Sequence, residues 1–454
     1  MHDPSFSTTL VFAVLLVLMV LTLALEEKLH AKKSFITGVY AVLALALGHM
    51  LHVLPFGPLT DAHGEVRNLP VYILGIDWGV IAILLGSSLF VDVTSRSGLF
   101  TWIAIKLTKA SKGDPRRLLF AYGTMTVVFS ALLNNVTAML IVGSLTVVSL
   151  EKLERRDKLL AFLLIEGLLT NVGGLLTLVS SVPNIIVGTA ANIHFVEFFV
   201  AAGPYVLVAT VLTLVLGARK YKINSLENDE ERALAKERVD SFDENDGVDS
   251  KRFFRFSSVM LGLFIASLAL SSVFDYPLGM GFVAMSFGIL MLSAYKGEVD
   301  RFYRAIDWDM LLFFAFLFII IDVMEHAHVL EWVGHGLAAV VGLNESMEGA
   351  GTAATLVSAA GFSAVTDNIP LSAMLSKILA GMQPLSDDRL WWSVIFGANL
   401  GGNITPIGSA STVVAVTLMH KYGEPMPFMS FVKAAVPFAL LQLALAMVYV
   451  LLFL

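Results

Sequence analysis

The chain contains no cysteine in its 454 residues. Disulfides, thiolate metal cages and cysteine nucleophiles are excluded at once. Charge is scarce: Asp, Glu, Lys and Arg make up 15%, where a soluble domain carries about 25%. No basic cluster is interleaved with aromatic residues, so nucleic acid is not an expected partner. The zinc-protease pattern HExxH, the nucleophile elbow GxSxG and a phosphate-binding glycine loop are all missing. Gly401 and Gly402 are not followed by Lys and Ser or Thr, so ATP hydrolysis by this chain is not expected. Neither a cofactor nor an enzymatic activity is expected. A cleaved leader is not expected either: no Lys or Arg precedes the first apolar run, and Glu26 and Glu27 follow it where small residues would stand.

What fills the space is apolar. Hydrophobic residues make up 57%, and the mean hydropathy is +0.78. Roughly ten apolar runs approach the ~20 residues that span a bilayer as a helix. They alternate little, which favours helices over an outer-membrane barrel. The expected fold class is an all-α polytopic membrane protein. The net charge of −7 matters less than its layout. Of 30 Lys and Arg, 26 fall in segments 28–33, 96–117, 152–158, 219–255, 296–304 and at Lys421. The positive-inside rule makes that side cytoplasmic. Both termini are then expected outside an inner (cytoplasmic) membrane, in contact with lipid.

The two halves match each other. Ile76, Asp77 and Trp78 recur as Ile306, Asp307 and Trp308; Asp92 recurs as Asp322 and Trp102 as Trp332, all 230 residues on. With small gaps, Ser130, Asn134, Asn135 and Val136 align with Ser363, Asp367, Asn368 and Ile369. Asn171, Gly173, Gly174 and Thr177 align with Asn399, Gly401, Gly402 and Thr405, and Pro204 with Pro437. Shared hydrophobicity does not bring Asn, Gly and Pro into register. The expected units are a first repeat over 1–218, a cytoplasmic linker over 219–255 and a second repeat over 256–454. A first half that starts outside and ends inside crosses an odd number of times. The repeats are therefore expected to be inverted, a plan that places ion sites at the repeat interface.

Each half has two breaks. Residues 117–150 are short for two crossings and read as a re-entrant hairpin with Asn134 and Asn135 at its tip. Residues 350–383 are the matching hairpin from the other side, tipped by Asp367 and Asn368. Broken helices follow at 162–187 and 395–416. The first holds Asn171, Gly173, Gly174, Thr177, Pro183 and Asn184; the second holds Asn399, Gly401, Gly402, Asn403, Thr405, Pro406 and Ser409. Glycine frees the backbone and proline removes a donor. Unwound backbone at membrane depth is tolerated where it is buried or lines a polar cavity. The binding site is expected between the two tips and the two breaks. Any one Ser or Thr there can simply bond its own backbone, and a Gly pair can simply be a packing contact; the symmetric set of four breaks argues for a site.

Intramembrane acids default to function. Asp367 at a tip and Glu166 in the run 160–169 are candidates to carry a coupling proton. The plain alternatives are a helix cap and local pairing. Asp77, Asp92, Asp307, Asp309 and Asp322 lie near run ends and read as caps or interface residues. His328, Glu331 and His335 share a helix face, but no metal site is expected.

The order Leu133 to Thr137, Thr170 to Gly174, Val182 to Ile186, Asp367 to Pro370 and Gly397 to Ser409 resembles the ArsB/NhaD branch of the ion transporter superfamily, over roughly 35–454. That branch includes arsenite/antimonite permeases, sodium/proton antiporters and the melanosomal P protein; citrate carriers are more distant. The resemblance implies a scaffold region and a transport region moving as an elevator. The substrate contacts expected between the tips and the breaks are Asn134, Asn135, Thr137, Asn171, Gly173, Gly174, Thr177, Asn184, Asp367, Asn368, Asn399, Gly401, Gly402, Asn403, Thr405 and Ser409. Some relatives are dimers, so a homodimer is one expected partner, and a soluble ATPase on the cytoplasmic loops is another. Asn134 stands where many relatives carry Asp, which weakens a cation site. An amide- and hydroxyl-rich pocket suits a neutral hydroxylated solute or an anion. The expected function is arsenite or antimonite extrusion driven by protons or the membrane potential, with sodium/proton antiport and an organic-anion carrier as alternatives.

Overall fold

Apolar runs closed by polar caps build nearly the whole molecule. A computed structural model describes residues 4–54, 59–60, 66–67, 70–273, 279–294, 299–341, 349–366, 368–382 and 387–454. The principal helices in chain order are α1 (Phe6–Ala24), α2 (Lys33–Met50), α3 (Trp78–Ser95), α4 (Leu99–Ser111), α5 (Pro115–Leu132), α6 (Asn135–Lys152), α7 (Leu159–Gly174), α8 (Val182–Ala190) and α9 (Phe195–Lys220). After these come α10 (Asp229–Asp240), α11 (Lys251–Val273), α12 (Gly279–Ser293), α13 (Trp308–His326) and α14 (Val329–Val341). The last are α15 (Ala350–Ser363), α16 (Asn368–Gly381), α17 (Arg389–Gly401), α18 (Ala410–Lys421) and α19 (Phe428–Phe453). Short helical turns link some of them, and the strands among the described residues form one antiparallel pair of two residues each, Leu59–Thr60 and Val66–Arg67. Among the described residues, seven helices are long and apolar enough to cross a membrane, or eight if α13 and α14, bent by 83°, count as one span.

Local chemistry sets the ends. Asp77 and Asp307 cap α3 and α13 by accepting from the amides of Val80 and Met310. Asp114 caps α5, whose first residue is Pro115, a position where its missing N–H costs nothing. At the first hairpin tip, Leu133 and Asn134 are extended, and the Asn134 side chain accepts from Thr137 N at 2.8 Å to start α6. The arms α15 and α16 have 14 residues each, a rise of about 21 Å that is short of the ~30 Å hydrocarbon core.

Helices of one half pack on helices of the other in matching pairs. Helix α2 lies along α13, and α12 along α3. Hairpin arm α6 packs on α18, and arm α16 on α8. The long helices α9 and α19 each have 26 residues with an internal proline, Pro204 and Pro437. Proline loosens the carbonyls one turn back. Both loosened turns are served by side chains: Tyr449 Oη donates to Ala201 O at 2.7 Å, and Lys220 Nζ to Ala434 O at 2.8 Å.

Between the halves the polar stretch is bound down on the bases of α4 and the first hairpin. Helix α9 runs on to Lys220 and α11 begins at Lys251, so cationic residues stand at the helix ends that border this stretch. Arg238 donates to Leu153 O at 3.0 Å and pairs with Glu154 at 2.6 Å. Leu226 N donates to Asp114 at 3.0 Å, and Glu244 pairs with Lys106 at 2.8 Å and also with Lys109. Those two ammonium groups hold the Glu244 carboxyl down to about 2. Gly98 sits at φ 78°, and a Cβ there would lie 2.2 Å from Gly247 O, so this docking needs a bare backbone.

Candidate functional site

Each broken helix stops where glycine meets a hairpin. Helix α7 ends at Gly174 and α8 starts at Val182, leaving seven residues unwound. The freed carbonyls are taken locally: Asn184 Nδ2 donates to Gly174 O at 2.6 Å and Thr177 O at 2.9 Å, and Ser180 Oγ to the same two at 2.7 and 2.8 Å. In the second half Ser409 caps α18 in a reciprocal pair with Thr412. The hairpins are tied to the breaks by matching bonds. Ser130 Oγ donates to Thr170 O and Thr177 Oγ1 to Ala131 O, both at 2.6 Å. Ser363 Oγ donates to Ala398 O at 2.5 Å and Thr405 Oγ1 to Ala364 O at 2.6 Å. Gly173 lies so near arm α5 that a Cβ would be 2.7 Å from Val127 O; at Gly401 it would be 2.3 Å from Ala360 O on arm α15.

The two breaks meet in one amide and hydroxyl network. Asn171 Nδ2 donates to Ser409 Oγ at 2.9 Å, and Ser181 Oγ donates to Asn399 Oδ1 at 2.7 Å. Each half's helix asparagine thus bonds the serine at the N-cap position of the other half's next helix. Asn171 also donates to Asn403 Oδ1 at 2.8 Å, and Asn399 to Asn184 Oδ1 at 2.9 Å. Asn403 donates in turn to Gln442 Oε1 at 2.8 Å and to Leu168 O at 3.1 Å. Asn171, Asn184, Asn399, Asn403 and Gln442 are all 0% exposed. Buried amides in a low-dielectric interior are worth most when every group is paired, and costly when one is not.

The structure therefore gathers Asn171, Asn184, Asn399, Asn403 and Ser409 into the crossing, with Gly173, Gly174, Gly401, Gly402, Thr177 and Thr405 fixing its backbone. Asn135 stands at the edge: its Oδ1 accepts from Ser130 at 2.7 Å and its Nδ2 reaches Asn171 at 3.4 Å. Asn134 is exposed at the tip and Thr137 half-buried beside it. Asn368 is buried on the other hairpin, and Asp367 lies outside the described residues. Sequence reasoning places Ser181 in the first break without giving it a contact, and misses Ser411, Thr213 and Gln442. Ser411 donates to Asn171 at 3.2 Å, and Gln442 to Thr213 at 3.0 Å. A lone Gln inside the apolar run 438–454 was the available signal.

Electrostatically the crossing is neutral. No Lys, Arg or His is among the buried side chains of the described residues. The N-termini of α8 and α18, preceded by the N-cap residues Ser181 and Ser409, supply only partial positive charge. Glu166 is buried on α7, accepts from Thr146 Oγ1 at 2.6 Å and leaves Oε2 without a partner. No group of three or more His, Asp or Glu able to hold a metal occurs among the described residues. His328 pairs with Glu331 at 2.8 Å.

A cavity of about 800 Å³ reaches the crossing from one side. Its walls are mostly apolar, from α1, α14 and the second hairpin; Gly408, Ser409, Lys28 and Lys33 also line it.

The family described as citrate transporter, CitMHS, matches residues 35–397. A 46 kDa membrane protein of Mycobacterium leprae is 30% identical over 381 residues, 83% of this chain and 86% of that one. The mouse P protein is 24% identical over 508 residues, 94% of this chain and 60% of that one. Among solved structures, the Alcanivorax borkumensis YdaH transporter superposes with a TM-score of 0.58 at 14% identity, covering 92% of this chain and 97% of that one. MtrF of Neisseria gonorrhoeae gives 0.55 at 13%, covering 93% and 95%. At such identities the likeness shows the fold alone.

Proposed function

This chain belongs to the CitMHS citrate transporter family, and from that premise we propose that it is a secondary active transporter that extrudes a small uncharged hydroxylated solute, arsenite or antimonite, from the cytoplasm. The observation that carries the solute class is the neutral crossing. A multiply charged anion would meet no buried cation among the described residues, and burying such charges unpaired is expensive. Amide and hydroxyl groups bind a neutral hydroxylated solute weakly enough to release it. The mostly apolar cavity up to Ser409 suits the same traffic. An organic anion is the second reading, favoured by the description of the family itself. Asn134, in place of a tip carboxylate, weighs against sodium/proton antiport.

In this reading the chain sits in the inner membrane with the basic linker inside and both termini outside. The halves are inverted repeats of the ArsB/NhaD kind. The hairpins, broken helices, α9 and α19 form a transport unit that moves as an elevator against the remaining helices. The reciprocal cross-half packing and the matched Ser and Thr ties support this plan.

Uptake of radiolabelled As(III) into everted vesicles, with and without a proton gradient, tests the function. Saturable uptake that depends on the proton gradient is expected. Absence of As(III) uptake alongside saturable citrate uptake would overturn the solute class and leave the family intact.

A further inference from the structure

A second polar set lies inside the first hairpin, away from the crossing. Tyr122 on α5 places its Oη 2.6 Å from both Thr108 Oγ1 on α4 and Ser149 Oγ on α6. One turn along α6, Thr146 Oγ1 bonds Glu166 Oε1. Thr108, Tyr122, Thr146, Ser149 and Glu166 are each 3% exposed or less. At the outer end, Ser111 Oγ donates to Thr108 O at 2.6 Å and accepts from Gly113 N at 3.1 Å, at the turn between α4 and α5. At the inner end, Glu166 Oε2 is buried and unpartnered.

Packing alone does not ask for this arrangement. A buried tyrosine needs one partner, and a helical serine or threonine can bond its own backbone, as Thr108 also does with Ala104 O at 2.9 Å. Here the hydroxyl of Tyr122 joins two others, each of which can donate and accept. The set ends on a carboxyl with one oxygen left over, five residues before Asn171. That is about 7.5 Å along α7. Gly167, next to Glu166, faces α18 so closely that a Cβ would lie 2.8 Å from Ala415 Cβ.

We infer that Thr108, Tyr122, Ser149 and Thr146 form a proton relay from Thr108, one turn short of the α4–α5 turn, to Glu166, and that Glu166 stores the proton that drives transport. The role of that proton rests on the transporter reading; the relay does not. In each transfer a hydroxyl receives a proton on its oxygen and passes its own to the next. Ser149 and Thr146 bond different partners, Tyr122 and Glu166; they lie three residues apart on one face of α6, and the proton crosses between them when both hydroxyls rotate toward each other. The hydroxyl groups end unchanged, and the Glu166 carboxylate becomes a carboxylic acid. The reverse sequence empties it.

Infrared difference spectroscopy on the protein in lipid, with no solute present, tests this. Glu166→Gln should remove one protonated-carboxyl band. In the wild type that band should shift promptly on transfer to D2O. Tyr122→Phe keeps the ring and should slow the shift about tenfold, the effect of a barrier raised by roughly one lost hydrogen bond; Ser149→Ala should act in the same direction. No band lost in Glu166→Gln, or wild-type exchange in both relay variants, would overturn the inference. So would a band abolished by added sodium, which would make Glu166 a cation ligand. Because the readout needs no solute, the relay can stand if As(III) uptake fails and can fail if uptake succeeds.

Discussion

At the scale of single residues, the crossing depends on amides that serve one another. Asn399 holds Asn184, Ser181 and the carbonyl of Ile395 at once. Asn399→Ala strands buried polar groups, each costing about 1–3 kcal/mol. A lower melting temperature in detergent and weaker half-saturation for As(III) are the expected outcomes; thermal unfolding and vesicle uptake check them. Asn171→Ala should behave alike, and the double variant should lose less than the sum, because Asn171 and Asn399 sit in one connected network. Unchanged half-saturation in both would move the solute site elsewhere. Much of this was legible in the sequence. The asparagines stood out because amides are rare in apolar runs, and their register between halves pointed to a shared centre. The partners Ser181 and Ser411 were not legible, because which hydroxyl meets which amide depends on how two distant segments cross. Asn134 and Thr137 looked equivalent to the rest in sequence, yet they sit at an open tip.

At the scale of elements, close approach is the controlling fact. Gly401→Ala would put a methyl carbon 2.3 Å from Ala360 O, and Gly173→Ala one 2.7 Å from Val127 O, so hairpin and broken helix must separate. A loss of about 1–3 kcal/mol is expected from such overpacking, with transport impaired. Gly361→Ala is the control, since its methyl meets nothing within 4 Å, and it should leave both unfolding and uptake near wild type. The glycine pairs were visible in the sequence as breakers; that they also bring two helices together was not, because an unwound turn and a tight contact ask for the same residue. The linker is a second case. Its charges were legible, but their partners Lys106, Lys109 and Glu154 were not, since ion pairing across the molecule leaves no periodic trace. With the Glu244 carboxyl held at about 2 against an ordinary 4.5, its contact is fully present above pH 4.5 and is lost as pH falls through about 2. Hydrogen exchange over 240–250 should therefore stay slow from neutral pH down to about 4.5 and quicken in Glu244→Gln at pH 7. Added salt should reduce the difference, because exposed pairs are screened.

At the scale of the whole molecule, the absence of cysteine makes orientation directly testable. Single cysteines at Asp243 and Leu454 can be labelled with an impermeant maleimide without removing any native thiol. Labelling of the first in everted vesicles alone, and of the second in intact cells alone, is expected; the opposite pattern would reverse the membrane orientation. The neutrality of the crossing has one last consequence, and it concerns voltage. A unit charge carried across 100 mV gains about 2.3 kcal/mol. On the proposed reading, a neutral solute passing through a centre where the described residues bury no Lys or Arg offers that field nothing to pull on. The membrane potential then drives transport only through a proton that travels with the cycle, so the pump's electrical sensitivity should count protons rather than solute.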